Sequence, residues 1–252
     1  MDLHWRLEDV ENAPAFDSTC NPRCASDRAI HPIAKQLLHV PHYKLADKLN
    51  LDQDKILTEL NSIDGQWNGY NNDVKGTRGQ GTSSYWTSKF LRNWCEDPDF
   101  GFGETWDFME ILGKSHLIKD GRVPPEHMVD TTLKLPYIRS IIERFVTWEM
   151  CDRILISKVD DSERINWHSH CYYEPIYTHA YLHIPLATNE DTSMLVYMDY
   201  KHHIEYYKFN EAWIINTQHN HAVNNKKGKT RYHALVMANF EDPKFNEFFS
   251  YQ

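Results

Sequence analysis

Two short stretches hold the residues that could do chemistry. The first, Ile165-Asn166-Trp167-His168-Ser169-His170, carries two imidazoles two positions apart. Residues i and i+2 of a strand share a face, so His168 and His170 could reach one ion with Ser169 turned away. The second, Asn216-Thr217-Gln218-His219-Asn220-His221-Ala222-Val223-Asn224, adds a further imidazole, and Arg231 follows His221 at a spacing of ten. A histidine from a later strand completes a facial set that leaves other metal positions open, as a catalytic centre requires. Imidazole suits iron, zinc, copper and nickel about equally, so the residues alone do not choose the metal. An arginine facing the same cavity is costly to bury unless it meets an anion, and a carboxylate is its natural partner. The bland reading starts from the chain's 15 histidines, which make a chance His-x-His unremarkable. His179, His183, His202, His203, His219 and His233 crowd the same half of the chain. What lifts His168 and His170 above that background is the second cluster with its arginine.

These residues need a rigid frame of strands. From Arg153 onward short β-rich runs succeed one another, at 153–159, 164–169, 178–187, 193–199, 203–209, 211–217, 220–224 and 230–240. Turn signals such as Asp160-Asp161-Ser162 and Asn224 to Gly228 separate them. Eight short strands of this kind predict a double-sheet jelly roll. The preceding half reads differently. Residues 1–35, with Pro14, Pro22 and Pro32, read as an irregular arm. Leu45, Leu49, Ile56, Leu57 and Leu60 predict helix over 43–62, with Asp52 able to cap a second one. Residues 64–84 hold five glycines among Asn and Ser, in a spacing that fits no phosphate-binding motif, and read as a surface loop or lid. Residues 85–125 read as irregular packing against a sheet. Leu135-Pro136 opens a helix to about Trp148, with Ile138, Ile141, Ile142 and Phe145 on one face. The predicted architecture is one α+β domain over 1–252 with a mainly β core. A helical, loop-rich part, 1–150, packs on a double-stranded β-helix, 151–252.

The 252 residues suffice for one sizeable domain, and 41% hydrophobic content predicts a packed core. A net charge of −9 without a basic stripe speaks against a nucleic-acid partner. Lys226, Lys227 and Lys229 are explained by a solvated hairpin turn. No run approaches the roughly 20 apolar residues of a membrane helix, and Met1 to Arg6 contain no apolar leader run. Cys20, Cys24, Cys95, Cys151 and Cys171 form an odd, scattered set, as expected of reduced thiols in a cytoplasm. Cys20 and Cys24 have no matching second pair for a metal site.

Four motifs in order carry a resemblance. Ile165-Asn166-Trp167-His168-Ser169-His170 is followed by Tyr181-Leu182-His183-Ile184-Pro185-Leu186, then by Asn216-Thr217 with His221-Ala222-Val223-Asn224, then by Arg231. Over about 150–240 this resembles the Fe(II)/2-oxoglutarate-dependent oxygenases of the aspartyl/asparaginyl β-hydroxylase type, which also include free-proline hydroxylases. The resemblance implies a hydroxylase using Fe(II), 2-oxoglutarate and molecular oxygen. His168 and His221 would ligate the metal, and Arg231 would clamp the distal carboxylate of 2-oxoglutarate. Ser157 would share that carboxylate, and His183 would lie near the metal-bound end of the cosubstrate.

Two departures from the family pattern bear on the site. The usual His-x-Asp carboxylate is His170 here, so the third ligand is His170, water, or Glu174 brought in by a bulged loop. Tyr181 stands where the family often has an arginine that meets an acidic substrate. Tyr181, Tyr172 and Trp167 are candidate pocket-wall residues, though aromatics in a sheet also serve ordinary packing. The implied substrate is an amino acid or an amino-acid side chain in a peptide. The alternative is a cupin-like three-histidine metal protein, a thiol-type dioxygenase or metabolite-binding module, that does not use 2-oxoglutarate. A third is a structural protein that has lost its chemistry. Binding of 2-oxoglutarate separates the first reading from the others. The oligomeric state is not encoded in any of these features.

Overall fold

The computed structural model describes residues 31–37, 39–63, 68–70, 86–93, 129–130, 134–151, 153–160, 164–168, 179–188, 192–199, 201–217, 219–225 and 229–249. In chain order these form α1 (Pro32–Leu37), β1 (His42–Ala46), α2 (Gln53–Ser62), β2 (Asn68–Tyr70), β3 (Trp86–Asn93), β4 (Val129–Asp130) and α3 (Pro136–Ile142). Next come β5 (Arg153–Val159), β6 (Arg164–His168), β7 (His179–Ala187), β8 (Ser193–Met198), β9 (Lys201–Tyr206), β10 (Ala212–Ile215), β11 (Asn220–Asn224), β12 (Arg231–Asn239) and α4 (Pro243–Asn246).

The strands make two antiparallel sheets. The larger runs β1-β10-β7-β12-β5-β3-β2, with β4 also paired to β3, and the smaller runs β6-β11-β8-β9. From β5 to β12 the chain shuttles between them. β5, β7, β10 and β12 fall in the larger sheet and β6, β8, β9 and β11 in the smaller, which is jelly-roll winding. The fold is mainly β, with short helices.

Both faces of the larger sheet are buried, and its strand alternation divides them. Ile154, Ile156, Leu182, Ile184, Leu186, Ile214, Ala234, Val236 and Ala238 point to the helical side, against Ile56 and Leu60 of α2 and Ile138, Ile141 and Ile142 of α3. The alternate residues face the smaller sheet. Val159, Trp213 and Ile215 meet Ile165, Met194, Val196, Met198 and Val223 there, together with Tyr207. Each fully buried isoleucine stabilises the helical layer by about 1.5–3 kcal/mol. The two helices are locked end to end. The Glu59 carboxylate accepts from the backbone N–H groups of Tyr137 and Ile138 at 2.7 and 2.9 Å, satisfying the first turn of α3. The Tyr137 hydroxyl accepts in turn from the N–H of Asp52 at 2.8 Å.

The strands expected after Arg153 are all present, with bounds within three residues of those expected. The N-terminal half departs from a helical reading. Helix over 43–62 is in fact β1 followed by α2, because the His42–Ala46 backbone pairs with the exposed edge of β10. Asp52 does cap α2, accepting from Lys55 N–H at 3.1 Å. Within the loops expected at 64–84 and 85–125 lie β2 and β3, which extend the larger sheet beyond β5. The other residues of those loops lie outside the described residues. The arm expected over 1–35 has α1 at its end, and residues 1–30 lie outside the described ones. The helix expected to reach Trp148 stops at Ile142. The Asp242 carboxylate takes the backbone N–H of Thr147 at 2.6 Å and its hydroxyl at 2.8 Å, turning the chain out of helical path. Among the described residues no helix is long and apolar enough to cross a membrane.

Candidate active site

The space between the sheets contains a polar cluster built on β12 and β5. In β12, Arg231 and His233 share a face, and Ser157 of β5 is the register partner of His233. Arg231 is only 1% exposed and Ser157 only 2%, so water does not solvate either. One guanidinium nitrogen, Nη2, donates to His233 Nδ1 at 2.6 Å and lies 3.5 Å from the sulfur of Met194. Nε and Nη1 of Arg231, Nε2 of His233 and Oγ of Ser157 have no hydrogen-bond partner among the described residues. Burial drags the Arg231 pKa down to about 9, with the neighbouring Tyr207 opposing the shift. The residue is still a cation at neutral pH. Burial, then the Arg231 charge, then His183 hold His233 well below the ordinary histidine range, so it is neutral. Its Nδ1 accepts from an arginine, which only donates, so the proton resides on Nε2.

Aromatic rings wall this cluster. Tyr207 stacks on Trp213 at 4.7 Å and on His233 at 6.2 Å, and meets His183 edge-on at 6.1 Å. Trp213 is fixed in turn by Glu211, which accepts from its indole N–H at 2.9 Å, and by Lys44, whose ammonium lies 4.6 Å over its ring. The Tyr207 hydroxyl lies 3.0 Å from His42 Nδ1, and His42 Nε2 lies 3.3 Å from the carbonyl of His203. A carbonyl only accepts, so His42 donates through Nε2 and Tyr207 donates to Nδ1. Burial pulls His42 down to about 4 and raises the Tyr207 phenol well above its usual value, so both are neutral.

The smaller sheet supplies the candidate metal ligands. His221 sits on β11 opposite His168 of β6 and Val196 of β8. Val196 and Val223 belong to the inter-sheet core, so His221, two residues before Val223, faces the same space. Its Nδ1 lies 2.9 Å from the carbonyl oxygen of His219. That contact places the proton on Nδ1 and the lone pair on Nε2, the arrangement in which a histidine coordinates a metal. His168 is brought into direct register with His221. Its side chain, and that of Trp167, are outside the described residues, as are His170, Tyr172 and Glu174. Among the described residues no group of three His, Cys, Asp or Glu could hold a metal.

His183, 3% exposed, lies on β7 opposite Trp213 and Leu235, within the polar cluster. Tyr181, 8% exposed, shares its face and pairs with Met237. The structure therefore gathers Ser157, His183, Arg231 and His221 into the inter-sheet space. His233 and Tyr207 join them without having been singled out by sequence. For His233 the available signal was its i+2 spacing from Arg231 on a strand; Tyr207 has none, because it lies beyond the end of β9.

A buried cationic cluster whose N–H and O–H donors have no partner among the described residues is suited to an organic anion, and a carboxylate matches it best. The donor set fits the distal end of 2-oxoglutarate, and the tautomer of His221 fits a metal ligand.

Comparison with known proteins gives the family. The sequence profile described as Aspartyl/Asparaginyl beta-hydroxylase matches residues 51–240, well over half of the chain. No curated protein sequence matches. Among solved structures, a 2OG-Fe(II) oxygenase family oxidoreductase from Burkholderia pseudomallei is similar at 13% identity and a TM-score of 0.46, over 81% of this chain and 87% of that one. A prolyl-4-hydroxylase from Pseudomonas putida is similar at 10% identity and 0.43, over 82% and 96%. A prolyl hydroxylase from Trichoplax adhaerens, in complex with a hypoxia inducible factor peptide fragment, is similar at 11% and 0.44, over 87% and 91%. These likenesses concern the fold alone. On the profile match, the chain belongs to the aspartyl/asparaginyl β-hydroxylase family and is a 2-oxoglutarate-dependent hydroxylase.

Proposed function

We propose that this hydroxylase binds Fe(II) through His168 and His221, and anchors the distal carboxylate of 2-oxoglutarate on Arg231 and Ser157. His183 lies toward the keto-acid end. His170, water or Glu174 completes the metal set. The substrate is an amino acid or an amino-acid side chain in a peptide, bound against Tyr181, Tyr172 and Trp167. The odd-numbered, scattered cysteines support a reducing compartment, and the cytoplasm is the proposed location.

The observation that carries this reading is the buried Arg231, whose Nε and Nη1 have no partner among the described residues, beside an equally unpartnered Ser157 hydroxyl. A guanidinium kept out of water and without a carboxylate is unfavourable by several kcal/mol, which a bound anion relieves. Bound Fe(II), with 2-oxoglutarate and molecular oxygen, supplies the oxidation of a substrate C–H bond to an alcohol. The chain does the rest. The His219 carbonyl orients His221 and holds its proton on Nδ1, away from the metal side. Arg231 gives the cosubstrate one fixed direction. Tyr207, Trp213 and the inter-sheet aliphatics keep water out of the chamber, so its charges are weakly screened.

The test is an anaerobic titration of the protein with Fe(II), then 2-oxoglutarate, monitored by the visible charge-transfer band of the chelate. A band with 2-oxoglutarate and none with succinate is expected. Tight metal binding without a band would overturn the cosubstrate assignment in favour of a three-histidine metal protein.

A further inference from the structure

His233 does more than a buried core histidine needs to do. A histidine that merely packs would have both ring nitrogens matched by protein groups. Here Nδ1 takes Arg231 Nη2 at 2.6 Å while Nε2, fully buried, has no partner among the described residues. Register puts that ring directly across from Ser157, another donor in the same condition. The Tyr207 ring lies parallel to it, within 5°, and holds its plane.

We propose that His233 is a third donor of the anion subsite, its Nε2–H binding the distal carboxylate of the cosubstrate beside Arg231 and Ser157. This rests on the proposed role of Arg231. The ring has two consequences for the guanidinium. It supplies a neutral acceptor that fixes Nη2 without cancelling the positive charge, whereas an Asp or Glu there would occupy the place of the ligand anion. The bond from Arg231 also dictates the tautomer, because an occupied Nδ1 leaves the proton on Nε2, where a carboxylate can accept it. Arg231 and His233 thus act as one unit. The cation orders the neutral donor, and the neutral donor orders the cation. The subsite then reads a carboxylate through donors from two adjacent strands, which selects a keto acid with a second acid group over one without it.

Calorimetry on the anaerobic, Fe(II)-loaded protein tests this with two probes, 2-oxoglutarate and pyruvate, the latter a keto acid without the distal carboxylate. His233→Leu should weaken 2-oxoglutarate about ten- to a hundredfold, the usual loss of a hydrogen bond to a charged group, and leave pyruvate unchanged. His233→Gln should recover part of the loss. Equal losses for both probes, or none, overturn the inference. Wild-type protein that binds 2-oxoglutarate no better than pyruvate overturns the cosubstrate assignment itself, and the inference with it. Should the variants not fold, nitrogen-15 NMR of the histidines in wild-type, Zn(II)-loaded protein serves instead. The His233 ring should be neutral and protonated at Nε2, with that resonance moving on addition of 2-oxoglutarate and not of pyruvate. A proton on Nδ1, or an unmoved resonance, overturns it.

Discussion

Replacing Arg231 by methionine should make the ligand-free protein more stable while removing its hold on 2-oxoglutarate. Burial brings the guanidinium pKa down from the ordinary arginine value to about 9. The unfolded chain therefore binds this proton more tightly than the folded one. Below pH 9 both states are protonated and the full penalty of the buried cation is present; it is relieved only as pH rises above 9 toward the ordinary arginine value. At 1.36 kcal/mol per pH unit the penalty is about 5 kcal/mol. Methionine is unbranched and adaptable, and keeps much of the packing along the Arg231 stem. The variant leaves His233 Nδ1 without its donor, a loss of about 1–2 kcal/mol. The balance is a stabilisation of about 3 kcal/mol, or a rise in Tm of about 6–12 °C for a domain of this size. Removing one member of a buried charged pair should weaken 2-oxoglutarate about thirtyfold or more. Thermal unfolding of metal-free, ligand-free protein at pH 7, alongside calorimetry with 2-oxoglutarate, measures both. A Tm lowered by more than about 3 °C would refute the reasoning, since it would mean that a carboxylate of the chain already neutralises Arg231.

Other perturbations have equally definite outcomes. His221→Ala should weaken Fe(II) by more than the roughly 10–100-fold typical of losing a hydrogen-bond partner behind a ligand, read by metal titration under argon. His42 is held at about 4 by burial, so the unfolded chain takes up a proton there first as pH falls. Stability should be complete above 6.5 and decline by about 3 kcal/mol down to pH 4 from this residue alone. His233, displaced in the same direction, adds to the decline, and denaturant melts of wild type and His42→Gln across that range separate the two. Asp242→Ala should destabilise the fold by about 2–4 kcal/mol in urea melts, because its fully buried carboxylate holds both the N–H and the hydroxyl of Thr147.

The C-terminal strands were legible because they are short β-rich runs separated by turn signals. That His221 and Arg231 would share one space was legible in their spacing across a turn. β1 was not. Its Leu45, followed four positions on by Leu49, imitates helical spacing, and what makes His42–Ala46 a strand is the edge of β10, more than 160 positions away. The end of α3 was hidden for a similar reason. Ile138, Ile141, Ile142 and Phe145 keep helical spacing past the real end, and the carboxylate that breaks the helix arrives from Asp242. His233 was legible only as one histidine among many. Its significance lies in one bond to Arg231 and one nitrogen left over, and neither is written in local sequence.

The larger sheet is covered on both sides, and β12 therefore answers to two masters. Ala234, Val236 and Ala238 belong to the helical layer, while Arg231 and His233 belong to the chamber. Two environments are thus interleaved on one segment, residue by residue. Substitutions on the helical side are free to drift among apolar residues of similar volume, retuning thermal tolerance without touching chemistry. Substitutions of Arg231 or His233, on the role proposed for them, should alter anion binding instead. Saturation mutagenesis along β12 should accordingly yield a profile whose kind of constraint, not merely its strength, switches at every residue. The insertion or deletion of a single residue in this strand would exchange the two sets outright, so such events should be far rarer here in the lineage than point changes.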